Sequence, residues 1–300
     1  MKTTIIYYSF IIILLIVFSC KKYIDMKIPD KGRKPVINCL FNADSTFKVQ
    51  IFQSHFILDN AESQEITNAL VTITENETTI DTLNYSSSGY YSNSQLIPAT
   101  GKNYKIVATY DGKTASGSGI IPNPQAITKI DTSSYNNQQG GYFRFNVQIN
   151  DPANETNYYL LKIEKESTDY YNNNNLQTIY PNINEDPSLD AQWQGSYIIN
   201  DNLFNGKTKV FQLNIDIYNL YNTNYIDSIN KFHISLFSIS KDYYLYAKTS
   251  ESQINTSNSP FSEPVLVYNN IKNGYGIFAG ASVFKSIVRV PSRGIVYPMK

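Results

Sequence analysis

Apolar and polar residues alternate with a period of two in many short segments of the chain. Successive side chains of a β-strand point to opposite faces of the sheet, so this alternation predicts half-buried strands. Such segments, separated by turn residues, lie at 47–51, 70–74, 104–108, 142–149, 158–163, 210–217 and 232–237. The abundance of Tyr, Thr and Ile, which favour strands, agrees with this pattern. The sequence therefore predicts a mainly β protein.

Two β domains are predicted from the turn signals between these segments. Asp111-Gly112 favours a two-residue hairpin, and short strands at this spacing indicate an antiparallel sandwich. Pro122 and Pro124 mark the end of the sandwich, because proline cannot donate to a sheet ladder. We therefore expect an N-terminal β-sandwich at 35–123 and a C-terminal β-rich antiparallel domain at 124–300.

One short helix is predicted in the second domain, beginning after Ser240. The Ser240 side chain can cap the helix, and Asp242 complements the positive end of its dipole. Tyr243, Tyr246 and Ala247 then share one face at helical spacing. We expect that face to pack into a core.

A polar stretch at residues 166–195 interrupts the strand pattern. Long loops on compact domains are usually functional or disordered, so a solvated insertion and a binding loop both stay open. Trp193, Tyr170 and Tyr171 accompany this stretch, and exposed aromatic rings can stack on sugars or hold peptides. These three residues are therefore candidate ligand-binding residues, with packing against the second sheet as the alternative for Trp193.

The beginning of the chain has the pattern of a signal peptide. An apolar run at residues 5–18 follows Lys2 and is about 20 Å long as a helix, short of the ~30 Å hydrocarbon core of a membrane. The run ends at Val17-Phe18-Ser19-Cys20, which looks like a bacterial lipobox. We expect residues 1–19 to be removed, Cys20 to be lipidated, and residues 20–34 to be a tether. An ordinary secretory signal or an uncleaved anchor are the alternatives.

Charge and cysteine content narrow the picture further. The chain has 25 basic and 25 acidic residues, and this balance predicts no nucleic-acid partner. If Cys20 carries lipid, Cys39 has no partner within the chain, because there are 2 cysteines in all. Cys39 lies in an apolar, strand-like run, so we expect a buried, inert thiol.

The sequence offers no set of residues that predicts catalysis, a metal site or a cofactor. Its 2 histidines, His55 and His233, are too few for a zinc site without more cysteine. Ser238 and Lys241 match a Ser-x-x-Lys pattern, which a helix N-terminus explains without catalysis. A carboxylate pair for a hydrolase stays open, with Asp186, Asp190, Asp201 and Asp216 as the residues available. Hard donors for calcium also occur close together, with a solvated turn as the favoured interpretation: Asn182, Asn184, Glu185 and Asp186.

Several blocks of sequence, in order, resemble a family of Bacteroidota outer-membrane lipoproteins called domain of unknown function 4249. The blocks are 68–73, 89–91, 101–104, 151–152, 157–159, 199–207, 240–244, 261–264 and 270–280. The resemblance implies an immunoglobulin-like or carboxypeptidase-regulatory-like first domain. It also implies an accessory partner of a TonB-dependent transporter, and it transfers no catalytic residue.

We therefore expect a non-enzymatic, lipid-anchored accessory or binding protein of the outer membrane, on its periplasmic or its cell-surface face. Its expected partners are membrane lipid, through Cys20, and a TonB-dependent transporter that takes up a nutrient. A surface adhesion or structural β-module is the alternative, and a carboxylate-dependent hydrolase is a less favoured one.

Overall fold

The computed structural model describes residues 32–56, 59, 62–137, 140–168, 174–183, 186–216, 229–257 and 262–291. The strands of the first half are β1 (Pro35–Asn42), β2 (Lys48–Gln53), β3 (Gln64–Glu65), β4 (Leu70–Glu75), β5 (Thr78–Tyr85), β6 (Tyr90–Ser92), β7 (Asn103–Tyr110) and β8 (Lys113–Ile120). The predicted hairpin is confirmed between β7 and β8, where Asp111 and Gly112 have φ values of 49° and 67°. Two successive positive φ angles are what a tight, twisted hairpin requires.

The second half contains nine more strands and a helix among the described residues. They are β9 (Ile127–Asn137), β10 (Gly140–Asn150), β11 (Tyr158–Thr168), β12 (Asn174–Ile179), β13 (Leu189–Trp193), β14 (Ser196–Asn200), β15 (Thr208–Asp216), β16 (Ile229–Ile239), α1 (Lys241–Ser257) and β17 (Tyr275–Pro291). The mainly β class with one helix is thus confirmed. The polar stretch at 166–195 differs from a plain loop, because it contributes β12 and β13 and the end of β11.

The strands form one large mixed sheet and one small antiparallel sheet. The large sheet has 14 strands, ordered β13-β14-β11-β16-β17-β1-β2-β6-β5-β4-β7-β8, with β12 beside β11 and β3 beside β2. The small sheet has the order β15-β10-β9. The large sheet is mixed because β17 pairs in parallel with β1, whereas its other strand pairs are antiparallel. This parallel pair joins the last strand of the chain to the first.

Three clusters of buried side chains hold these layers together. The first core contains residues of β1, β2 and β4 to β8, such as Ile51 and Tyr104, together with Phe278 of β17. The second core lies between the small sheet and the strands β11, β14 and β16, and includes Phe145, Leu213 and Val290. The third, smaller core lies under α1. Residues of β17 belong to all three cores, and Arg33–Lys300 group as one compact unit. The boundary between residues 123 and 124 stays a prediction.

Candidate functional site

An open groove lies beside the turn between β4 and β5. Its volume is about 520 Å³, and it is lined by Thr74, Asn76, Glu77, Asn103, Tyr104, Lys105 and Ser118. The Tyr104 hydroxyl donates to Glu75 Oε2 at 2.9 Å, which fixes the ring at the groove wall. The other lining groups are amide, hydroxyl and charged side chains. These side chains can donate and accept hydrogen bonds with a polar ligand.

The turn at the groove is conformationally unusual. Asn76 and Glu77 have φ values of 46° and 70°, and a register irregularity lies between Ile73 and Thr74. A left-handed backbone costs a residue with a side chain about 1 kcal/mol or more, and such strain persists mainly where surrounding structure enforces it. The Asn76 N–H donates to the Asn103 carbonyl at 3.0 Å, which supports the turn. Sequence reasoning missed this turn because Glu77 stands where glycine usually signals it.

A second polar site, which we call the carboxylate junction, consists of Asp151, Asn157, Tyr159, Asp201, Asn205 and Gly206. It joins the loop after β10 to the loop after β14. Asp151 accepts hydrogen bonds from the Tyr159 hydroxyl at 2.6 Å and from the Gly206 N–H at 3.0 Å. Asp201 accepts through Oδ2 from the Asn157 N–H at 2.7 Å and from Asn205 Nδ2 at 3.0 Å.

Burial governs the electrostatics of the carboxylate junction. Burial raises the pKa of the Asp151 carboxyl, the hydrogen bonds from Tyr159 and Gly206 lower it, and the charge of Asp201 adds to the rise. The net pKa of Asp151 lies above the usual aspartate value. Burial, together with the hydrogen bond to Asp151, also raises the pKa of Tyr159 above its usual range. Tyr159 therefore stays a neutral hydrogen-bond donor.

A third polar cluster fastens α1 to the sheet. Asp190 accepts hydrogen bonds from Tyr244 at 2.8 Å, Lys248 at 2.8 Å and Asn200 at 2.5 Å. Burial raises the pKa of the Asp190 carboxyl, but these three donors outweigh it and bring the pKa below the usual value. Asp190 thus has a structural role in holding the helix.

The residues that the sequence singled out lie in different places. Trp193 is buried at 6% exposure, with its ring edge-on to Tyr243 at 5.6 Å between centroids. Its ring therefore packs against α1 rather than standing exposed for stacking. Cys20, Tyr170 and Tyr171 lie outside the described residues, so their predicted roles stay predictions.

The predicted helix cap and buried thiol are both confirmed. The Tyr243 N–H donates to Ser240 Oγ at 3.3 Å, which explains the serine before Lys241. Cys39 is buried, and burial raises the pKa of its thiol to about 12. A thiol with that pKa stays protonated and unreactive near neutral pH.

The carboxylates proposed for a hydrolase are dispersed among separate contacts. Asp186 pairs with Lys209 at 2.8 Å, Asp190 holds α1, and Asp201 belongs to the carboxylate junction. His233 contacts Glu166 at 3.0 Å on neighbouring strands. The described part of the chain contains no group of three or more His, Cys, Asp or Glu that could hold a metal. Asn184 and Glu185, for which a solvated turn was favoured over a calcium site, lie outside the described residues.

Fold and sites together define a mainly β protein with an open polar groove and a buried carboxylate junction. The chain belongs to the family described as domain of unknown function 4249, whose model matches residues 21–287. The predicted family is thereby confirmed, and the matched range includes both the groove and the carboxylate junction. Comparison with curated proteins finds no match to this chain. Among the described residues, no helix is long and apolar enough to cross a membrane.

Proposed function

We propose that this chain is a lipid-anchored accessory or binding protein of the outer membrane that assists a TonB-dependent transporter in nutrient uptake. The open groove is the observation that carries the proposal. The groove has a volume of about 520 Å³. Hydrogen-bond donors and acceptors line it, among them the side chains of Asn76, Glu77, Asn103 and Lys105. Such a groove suits a polar nutrient that must be captured and then released.

The arrangement of the carboxylates supports binding rather than catalysis. Asp190 and Asp201 have structural hydrogen-bond partners, and Asp186 is paired with Lys209. A catalytic carboxylate pair must face a substrate across a gap of about 5–10 Å. These residues instead hold loops and the helix against the sheets, and we therefore assign them a structural role.

Anchoring is tested by replacing Cys20, the lipidation residue that the lipobox predicts. Cys20→Ser should move the protein from the membrane fraction to the soluble fraction, because one thioether-linked lipid provides the attachment. Cys39→Ala is the matched control, since it removes the other cysteine and leaves the anchor. A Cys20→Ser protein that is still processed and membrane-bound would contradict the anchor.

Ligand capture is tested at the groove with purified protein and two classes of polar nutrient, oligosaccharides and peptides. Lys105→Ala and Asn76→Ala should weaken binding, because both side chains line the groove. Lys129→Ala is the control, since Lys129 is 60% exposed on β9 and pairs with Asp131. Binding to glycans or proteins without any association with a transporter would favour a surface adhesion module instead. The proposed function would be refuted if the protein neither bound a ligand nor co-isolated with a transporter.

A further inference from the structure

The carboxylate junction contains two buried side-chain oxygens that accept no hydrogen bond. They are Oδ1 of Asp201 and Oδ1 of Asn157. The two residues are neighbours, because the backbone N–H of Asn157 donates to the other oxygen of the Asp201 carboxylate at 2.7 Å and the Asp201 N–H donates to the Asn157 carbonyl at 3.2 Å. Buried polar atoms nearly always have a partner, and an orphan oxygen indicates a water, an ion or strain.

The carboxylate junction contains two buried carboxylates. Asp151 and Asp201 are 6% and 0% exposed. In the described part of the chain, none of the ion pairs includes either carboxylate. A buried carboxylate without a compensating charge is costly, and the cost is largest for an oxygen that accepts nothing. A bound cation would remove both costs together.

Backbone hydrogen bonds fix the two loops that carry these unpartnered oxygens. The Asp201 N–H donates to the Asn157 carbonyl at 3.2 Å, and the Phe204 N–H donates to the Asp201 carbonyl at 2.7 Å. Gly206 lies so close to Ala153 that an added Cβ would stand 2.9 Å from the alanine Cβ. The two loops are therefore packed against each other before any ligand binds.

We propose that the carboxylate junction binds a Ca²⁺ ion through Oδ1 of Asp201 and Oδ1 of Asn157. Carboxylate, amide and backbone carbonyl oxygens are the ligands that Ca²⁺ accepts. Mg²⁺ fits less well because it requires strict octahedral geometry and loses water reluctantly. Zn²⁺ prefers nitrogen and sulfur ligands, which the carboxylate junction lacks. This inference goes beyond the proposed function and does not depend on it.

The first test uses the purified chain that begins at Cys20, treated with EDTA and then titrated with CaCl₂ or MgCl₂. Thermal unfolding should shift to higher temperature with Ca²⁺, because a ligand that binds only the folded state stabilises it. MgCl₂ should need a concentration about tenfold higher or more for the same shift. An unfolding midpoint that stays constant up to millimolar Ca²⁺ would overturn the proposal.

Variants then assign the effect to the carboxylate junction. Asp201→Asn should abolish the Ca²⁺-dependent shift, and Asn157→Asp should raise Ca²⁺ affinity about tenfold by adding a charged ligand. Asp131→Asn is the control, since Asp131 is 54% exposed and pairs with Lys129 on β9. The Asn157 amide could instead donate an N–H to Asp201; Asn157→Asp would then destabilise the protein equally with and without Ca²⁺, which overturns the proposal. If Asp201→Asn does not fold, the proposal is still tested by the Ca²⁺-dependent unfolding shifts of Asn157→Asp and of the EDTA-treated wild type.

Discussion

Tyr159 and Asp151 show how single side chains connect distant loops of this protein. The Tyr159 hydroxyl lies 2.6 Å from Asp151 Oδ1, and Gly206 donates to the other oxygen from a loop 55 residues further on. The sequence indicates that Asp151-Pro152 is a turn, and Asp201 is among the carboxylates it offers. The local pattern does not indicate that Asp151 and Asp201 belong to one cluster, because that proximity depends on how the strands pair.

Removal of the Tyr159 hydroxyl should destabilise the fold. We expect Tyr159→Phe to lower the free energy of unfolding by about 1–3 kcal/mol, because a buried carboxylate loses one of its two donors. Urea unfolding at neutral pH measures this difference. Tyr180→Phe is the control, since Tyr180 is 64% exposed and should change stability little. Equal stability of the two variants would show that the Tyr159 hydroxyl has no net effect.

Asp190 should make the stability of α1 depend on pH in a defined direction. Its pKa in the folded protein lies below the unfolded value of about 3.9, because the donors from Lys248, Asn200 and Tyr244 outweigh burial. The stabilisation is therefore present above about pH 4 and is lost as the pH falls through the folded pKa. Unfolding free energies of wild type and Asp190→Asn should differ at pH 7 and converge toward pH 3. A difference that grows on acidification would contradict this assignment.

At the scale of elements, the sequence predicted those turns and helix ends that depend on neighbouring residues. The Asp111-Gly112 hairpin and the helix that begins after Ser240 both depend on residues within a few positions of each other. The parallel pairing of β1 with β17 joins residues about 240 positions apart, such as Val36 and Tyr275. No periodicity in the sequence encodes that partnership. The strand β12 was missed because its residues, Asn174–Ile179, begin with polar side chains that favour turns.

The helix cap gives a prediction at this scale. Ser240→Ala should cost about 1 kcal/mol, because the Tyr243 N–H would lose its acceptor at the start of α1. Thermal or urea unfolding measures the loss. Ser257→Ala at the exposed end of the same helix is the control and should have an effect near zero. Similar losses for both would mean that helix propensity, rather than the cap, sets the effect.

Gly276 gives a sharper prediction for the parallel strand pair. Its φ is 110°, and an added Cβ would lie 2.1 Å from the Ile37 carbonyl oxygen of β1. Gly276→Ala should therefore cost at least about 3 kcal/mol, through backbone strain and a clash with backbone that cannot move aside. Gly112→Ala is the matched control: its φ is also left-handed at 67°, but nothing lies within 4 Å of the new Cβ. It should cost about 1 kcal/mol. Equal costs would show that β17 can shift away from β1.

For the whole molecule, β17 connects the layers on which the groove and the carboxylate junction depend. Phe278 belongs to the first core, Ala281 to the core under α1, and Val290 to the second core. The groove shares Tyr104 with the first core, and the carboxylate junction shares Tyr159 with the second. The sequence predicted the β class and the family, but the shared last strand required the structure. The lipid anchor and the transporter partner remain proposals.

Chemical cross-linking in intact cells, followed by mass spectrometry, tests the central claim most directly. Wild-type chain should yield cross-linked peptides that join it to a TonB-dependent transporter of the outer membrane. Cys20→Ser should reduce these cross-links, since an unanchored protein is no longer concentrated at the membrane, whereas Cys39→Ala should retain them. Cross-links to other surface proteins with none to any transporter, at equal expression, would contradict the account.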